Sequence, residues 1–160
     1  MTTAHLVVVS DRAVADPAEN RAAPVVAGAL TAQGIESSVS IVPNEPEQVR
    51  AALQAAVRMA DLVITFGGTG VRPGDCVVDL THELGLVELP GIAEEIRRLG
   101  AVRTPASLLS RGTCGLVADG SRPVLVLNCP SSRGGAKDVA QVLGQVLGHL
   151  LRDLEGTERS

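Results

Sequence analysis

The sequence predicts a three-layer α/β/α sandwich around a mostly parallel sheet. Short, β-branched apolar runs alternate with segments of helical periodicity along most of the chain. The strand-like run "HLVVVSD" near the start is rich in β-branched apolar residues, as strands covered on both faces are. The helical segments stop at glycines, and several open at prolines. Right-handed crossovers between the parallel strands follow from this pattern.

Taken in order, "HLVVVSD" is too short for a helix and forms a buried strand that ends at Ser10 and Asp11. "PVVAGAL" opens on a helix-compatible proline and runs toward a glycine stop at Gly34. "ESSVSIV" is the second strand, closed by Pro43. In "EPEQVRAALQAAVRMA", Val49, Leu53, Ala56, Val57 and Ala60 share one helical face, with Glu45 and Glu47 near the positive end of the dipole. "DLVITF" is the third strand and delivers the turn "GGTG". "VVDLTHELG" and "PGIAEEIRRLG" read as two short helices that stop at Gly85 and Gly100. "TPASLLSRG" fits helix and strand alike. "TCGLVADGSRPVLVLNCP" holds two apolar runs around an Asp-Gly pair, a hairpin or tight loop. The loop "SSRGGAKD" then leads to a closing amphipathic helix, "VAQVLGQVLGHLL".

With 160 residues and 45% hydrophobic content, the chain suits one domain over residues 1–160, with a core of about 4–152 and a flexible tail at 153–160. Phe66 is the sole aromatic residue and the net charge is -4, so neither stacking platforms nor a basic face supports a nucleic-acid partner. Cys76, Cys114 and Cys129 form no CxxC pair and read as reduced core thiols. No signal peptide and no run of about 20 apolar residues is visible, which points away from a membrane and toward a cytoplasmic location.

In parallel α/β sheets, ligands bind outside the carboxyl ends of the strands. Three such ends carry polar, small-residue loops here: "VSDRA", "TFGGTGVRPGD" and "LNCPSSRGG". Meeting along one sheet edge, they would form a composite pocket. The turn of Gly67, Gly68, Thr69 and Gly70 matches neither the P-loop nor the dinucleotide glycine spacing. It is either a tight bend or an anion cradle, in which bare glycine amides and the Thr69 hydroxyl donate to oxyanions. Ser131, Ser132 and Arg133 are further candidate anion donors, or a solvated loop. Asp75 and Asp79 would share a helical face if the helix starts at Asp75, a pairing suited to Mg²⁺ beside a phosphate. The alternatives are an N-cap for Asp75 and a surface role for Asp79. His5, His82 and His149 show no ligand spacing, and "EEIRRLG" reads as a solvated helix face with ion pairs.

The ordered set "VVVSDRA", "ITFGGTG", "LPGIAEEIR", "LLSRG" and "VLVLNCPSS" resembles the molybdopterin-binding domain of molybdenum-cofactor biosynthesis proteins, in particular the Mog/MoaB-like molybdopterin adenylyltransferases. The resemblance runs along nearly the whole chain. It implies a three-layer α/β fold, a homotrimer, and a pterin pocket at the strand ends. It also implies an adenylyl transfer from Mg²⁺-ATP to molybdopterin, a reaction that rests on positioning and charge neutralisation. By this resemblance Asp75 is the catalytic and metal-holding carboxylate, and Asn44 stands at a second catalytic position. Ser10, Asp11, Gly67, Gly68, Thr69, Gly70, Asp79, Pro90, Gly91, Ser110, Arg111, Asn128, Pro130, Ser131 and Ser132 would contact the pterin or nucleotide.

The chain departs from the family pattern at several of these points. Gly74 stands where Arg is common, Val77 and Val78 replace Thr-Pro, and Asn44 replaces an Asp. A neutral amide binds Mg²⁺ more weakly than a carboxylate and cannot serve as a base at neutral pH. Ala22, Ala23 and Pro24 replace a Ser-Gly-Pro helix opening, and Cys129 to Arg133 read "CPSSR" where Leu-Pro-Gly-Ser-Pro is usual. The same resemblance therefore admits an alternative, a catalytically weakened molybdopterin-binding or carrier protein.

Overall fold

The computed structural model describes residues 1–156. Its strands are β1 (Thr3–Val9), β2 (Glu36–Val42), β3 (Leu62–Phe66), β4 (Val87–Glu88), β5 (Cys114–Asp119) and β6 (Arg122–Cys129). They form one sheet in the order β2-β1-β3-β6-β5-β4. β2, β1, β3 and β6 run parallel, and β5 and β4 complete an antiparallel edge. The predicted fold class, an α/β sandwich with a mostly parallel sheet, is the one observed.

Both faces of this sheet are covered. Along β1, Leu6 and Val8 enter one core while Val7 and Val9 enter the other, which is why the run is apolar without alternation. The first core is closed by α2 (Ala23–Ala32), α5 (Pro90–Arg103) and α6 (Arg133–Glu155). The second is closed by α3 (Pro46–Met59) and α4 (Val77–His82). A short helix, α1 (Asp11–Ala15), follows β1. Each fully buried Leu or Val contributes roughly 1.5–3 kcal/mol. With Phe66 the one aromatic residue, stability rests on many such aliphatic contributions.

Several elements differ from the sequence reading, for local physical reasons. The helix expected to stop at Gly100 continues to Arg103, because Gly100 is buried under the 3₁₀ turn Pro105–Leu109; a Cβ there would lie 2.6 Å from Ser107 Oγ. That turn is the conformation adopted by the segment that fitted helix and strand alike. The closing helix starts at Arg133 rather than after "SSRGGAKD", since the Ser132 hydroxyl caps it by accepting from Gly135 N–H at 3.0 Å. It runs on to Glu155 and ends at Gly156 in the left-handed conformation, so 153–155, expected in a flexible tail, are helical. Residues 157–160 of that tail lie outside the described residues. β4 was not anticipated; it fits because Gly115 has no side chain to meet Val87 O, 2.3 Å from where a Cβ would stand.

The topology positions the site. After β3 the chain passes to α4 on one face of the sheet, while after β6 it passes to α6 on the other. A crevice opens where such neighbouring connections diverge. Thr65 pairs with Asn128 and Phe66 with Cys129, so the two strands end level with one another.

His5 links β1 to β2, its Nδ1 2.7 Å from Ser38 Oγ and its Nε2 2.9 Å from Ser40 Oγ. Burial lowers its pKa below the ordinary value of 6.5. The unfolded chain therefore takes up this proton more readily than the folded one, and stability falls as the pH drops below about 6.5. Urea titrations between pH 7 and pH 5 are expected to show this loss in the wild type and a shallower slope in His5→Gln.

Candidate ligand-binding site

The loop after β3 is shaped by glycines in conformations that L side chains avoid. Gly67 has φ +95° and Gly68 has φ +65°. Space excludes a side chain as well: a Cβ on Gly67 would stand 2.5 Å from Val9 O, and one on Gly68 would stand 2.4 Å from Val77 Cγ2. Gly67 N–H donates to Cys129 O at 3.0 Å, tying the turn to the end of β6. Arg111 braces it from outside. Arg111 N–H donates to Thr69 O at 2.7 Å and its Nε to Gly70 O at 2.9 Å. With those carbonyls turned to Arg111, the trans peptides direct the N–H groups of Gly70 and Val71 away from it.

The turn forms one wall of a cavity of about 440 Å³. Gly67, Gly68, Thr69, Gly70 and Asp75 line it from the β3 side, and Pro130, Ser131 and Ser132 from the β6 side. Ser110 lines it beside the 3₁₀ turn. The first turn of α6 opens here, and a helix start leaves amide donors without intrahelical partners. Three arginines, Arg72, Arg97 and Arg103, stand in the wall against two aspartates, Asp75 and Asp138. The cavity is thus amide-rich and cationic within a chain of net charge -4.

Asp75 lies before α4, whose N-cap position is held by Cys76 without a side-chain capping bond. The helix does not start at Asp75, so the expected placement of Asp75 and Asp79 on one helical face is not realised, and Asp75 is not the N-cap. Asp75 Oδ2 accepts from Arg72 N–H at 3.1 Å and Asp75 N–H donates to Arg72 O at 2.9 Å, curling the loop so that this carboxylate faces the cavity. Asp79 instead pairs with Arg111, with Nη1 3.1 Å from its Oδ1. The guanidinium holds the Asp79 carboxyl below the ordinary carboxylate range. Asp79 is mostly exposed and Arg111 partly so, and solvent screens the pair, which orients Arg111 more than it stabilises the fold. Arg111→Ala is expected to lower the thermal midpoint by a few degrees and to speed amide exchange at 67–71, whereas Asp79→Asn changes either far less; differential scanning calorimetry and hydrogen exchange read both.

The remaining predicted positions lie outside the cavity wall. Ser10 caps α1, its Oγ accepting from Ala13 N–H at 3.1 Å. Asp11 Oδ1 accepts from Asn44 N–H at 2.9 Å, and Asn44 Nδ2 donates to Gly74 O at 3.2 Å, so these two residues stitch the loops after β1, β2 and β3 together. Pro90 and Gly91 form the first turn of α5. Asn128 is buried: its Oδ1 accepts from Thr113 N–H at 3.1 Å, and its Nδ2 lies 3.0 Å from Thr65 Oγ1 and 3.1 Å from Thr81 Oγ1. It pins β6 to three neighbours immediately behind the cavity.

Arg97, Arg103, Ser107 and Asp138 were missed by sequence reasoning, which assigned the arginine cluster to a solvated face. Glu95 and Arg98 do pair in solvent at 2.6 Å. Arg97, one residue away, instead sends Nη1 to Gly112 O at 2.6 Å. The available signal was Ile96, Gly100 and Arg103 at helical spacing, which places Arg103 beyond a buried face. Cys114 and Cys129 are fully buried, and burial pushes the Cys114 thiol up to about 12 and raises Cys129 too. Both are neutral at pH 7 and act as core residues. No described helix is long and apolar enough to cross a membrane.

A mostly parallel α/β sandwich with a cavity at the carboxyl edge of its sheet has the architecture of a small-ligand-binding domain. Residues 5–149 match the family described as "Probable molybdopterin binding domain", and the chain belongs to that family. It is 34% identical over 157 residues to a "Molybdenum cofactor biosynthesis bifunctional protein" of Synechococcus elongatus, covering 97% of this chain and 48% of that protein. A similar bifunctional protein of Chlorobaculum tepidum is also 48% covered, so the chain spans about half the length of these relatives. A "Molybdopterin adenylyltransferase" of Pyrococcus furiosus is 28% identical over 149 residues, with 92% of this chain and 88% of that one covered. Among solved structures, the molybdopterin biosynthesis Mog protein of Mycobacterium ulcerans is 36% identical with a TM-score of 0.83, each chain being 97% covered.

Proposed function

We propose that this chain binds molybdopterin in the cavity between the β3 and β6 loops and adenylylates it with Mg²⁺-ATP. The observation that carries the reading is the Gly67–Gly70 cradle facing the open start of α6 across a cationic cavity, within a domain of the molybdopterin-binding family. Relatives named as molybdopterin adenylyltransferases support the transfer step. In that step an oxygen of the pterin phosphate forms a bond to the α-phosphorus of ATP, and pyrophosphate leaves.

The chain's own contribution is placement. Amide donors of the glycine loop hold one phosphate, Ser131 and Ser132 border the other side, and Arg111 keeps the loop from collapsing. Among the described residues no group of three or more His, Cys, Asp or Glu side chains is assembled for a metal ion. This fits Mg²⁺ shared between one protein carboxylate and substrate phosphates, with Asp75 as that carboxylate. Bound there, Mg²⁺ would neutralise charge between the two polyanions. The resemblance further assigns a homotrimer in the cytoplasm, which light scattering of the purified chain tests for assembly.

Asn44 favours a second reading. Its amide is committed to Gly74 O in the place where active members carry a carboxylate, which fits a protein that binds the pterin without turning it over. Incubation with molybdopterin, ATP and Mg²⁺ separates the two. Adenylylated molybdopterin and pyrophosphate are expected; tight pterin binding without product would leave the binding role alone. In that case Asn44→Asp should gain activity, and no gain would count against a loss at this position.

A further inference from the structure

We propose that Arg103, clamped by the buried Asp138 carboxylate over the first turn of α6, is the group that reads the phosphate monoester of the bound pterin. The inference rests on the pterin reading and adds a specificity residue to it. Arg103 closes α5 and Asp138 lies on α6, so the pair bridges two walls of the cavity. Arg103 Nη1 donates to Asp138 Oδ1 at 2.8 Å and Nη2 donates to Asp138 Oδ2, a two-pronged grip. Only 7% of the Asp138 side chain is exposed against 50% of Arg103, so the carboxylate is a fixed anchor and the guanidinium its presented face.

That arrangement leaves donors free in a fixed direction. A guanidinium has five N–H donors, and the grip uses two of them. The planar group also lies against Gly134, where an added Cβ would stand 3.4 Å from both Nε and Nη2. Gly134 thus puts the first turn of α6 in contact with the guanidinium, and Ser131 and Ser132 line the same cavity. Cation, helix start and hydroxyls all line this one cavity, a donor set suited to a phosphate dianion. A surface ion pair would not require a carboxylate buried this deeply.

Calorimetric titrations of molybdopterin and of its dephosphorylated form into the wild type and variants test this. The wild type should prefer the phosphorylated form by roughly tenfold or more. Arg103→Gln should erase the preference while leaving affinity for the dephosphorylated form unchanged. Arg103→Lys keeps the charge without the fork and should retain part of it. Asp138→Asn, which frees Arg103 to wander, should lower affinity for the phosphorylated form alone, by a few-fold. Because Arg103→Gln leaves Asp138 buried without its cation, the double variant Arg103→Gln/Asp138→Asn serves as a folded control and should also lack the preference. An unchanged preference in Arg103→Gln and in the double variant, or equal weakening for both ligands, overturns the assignment. A wild type that binds neither ligand overturns the pterin reading and this inference with it.

Discussion

Gly67→Ala is expected to destabilise the domain by about 3 kcal/mol and to abolish ligand binding at the cavity. Two independent penalties add at this position. The φ of +95° places an L side chain in a strained region, and the new carbon would stand 2.5 Å from the carbonyl oxygen of Val9. Neither partner can yield, because Val9 is the last residue of a buried central strand. For a domain of this size the thermal midpoint falls by roughly 6–12 °C. Gly91→Ala is the matching control: nothing lies within 4 Å of its Cβ, and its stability should stay within about 0.5 kcal/mol of the wild type. Urea unfolding of the two variants reads the contrast directly.

Asn128→Ala is expected to cost about 3–5 kcal/mol, although Asn128 touches no ligand in this account. Its amide serves Thr113 just before β5, Thr65 on β3 and Thr81 on α4, and removal leaves the Thr113 N–H buried without its acceptor. Asn128→Asp carries a sharper signature. A carboxyl buried here resists ionisation, whereas in the unfolded chain it ionises near pH 4. The folded state then holds the extra proton, so the variant loses stability as the pH rises from 4 toward 7. Chemical denaturation at those two pH values, referenced to the wild type, isolates the effect.

The sheet was legible because burial on both faces leaves an unmistakable mark: "HLVVVSD" and "DLVITF" are apolar without alternation. The glycine turn was legible too, since positions that demand positive φ beside a strand end can hold little else. Asn128 was singled out by its place in a motif, and its side chain bonds Thr113, Thr65 and Thr81; a sequence does not say whether a polar residue at a strand end faces ligand or three threonines. Asp79 and Arg111 illustrate the same ambiguity, having been assigned to the ligand and found gripping each other.

What the sequence concealed was the opposite wall of the cavity. Gly100 reads as a helix stop because glycine is a poor helix former, but tertiary packing under Ser107 overrides that preference and carries the helix on to Arg103. Arg103 and Asp138 are far apart in the chain and join only when α5 packs beside α6. No local spacing encodes such a pair. Likewise "SSRGG" could be a loop or a capped helix start, and only the closed Ser132 to Gly135 bond settles it.

The central claim, that molybdopterin occupies the cavity between the β3 and β6 loops, is tested most directly by calorimetric titration of molybdopterin into the wild type and Gly70→Ala. A Cβ at Gly70 would meet Asp75 Oδ2 at 2.7 Å, the flexible end of a side chain, so the variant should fold while its cradle is blocked. The expected result is one site per chain with micromolar or tighter affinity in the wild type, and binding weakened at least tenfold in Gly70→Ala. No binding by the wild type at micromolar concentration, or equal affinity in the folded variant, would contradict it.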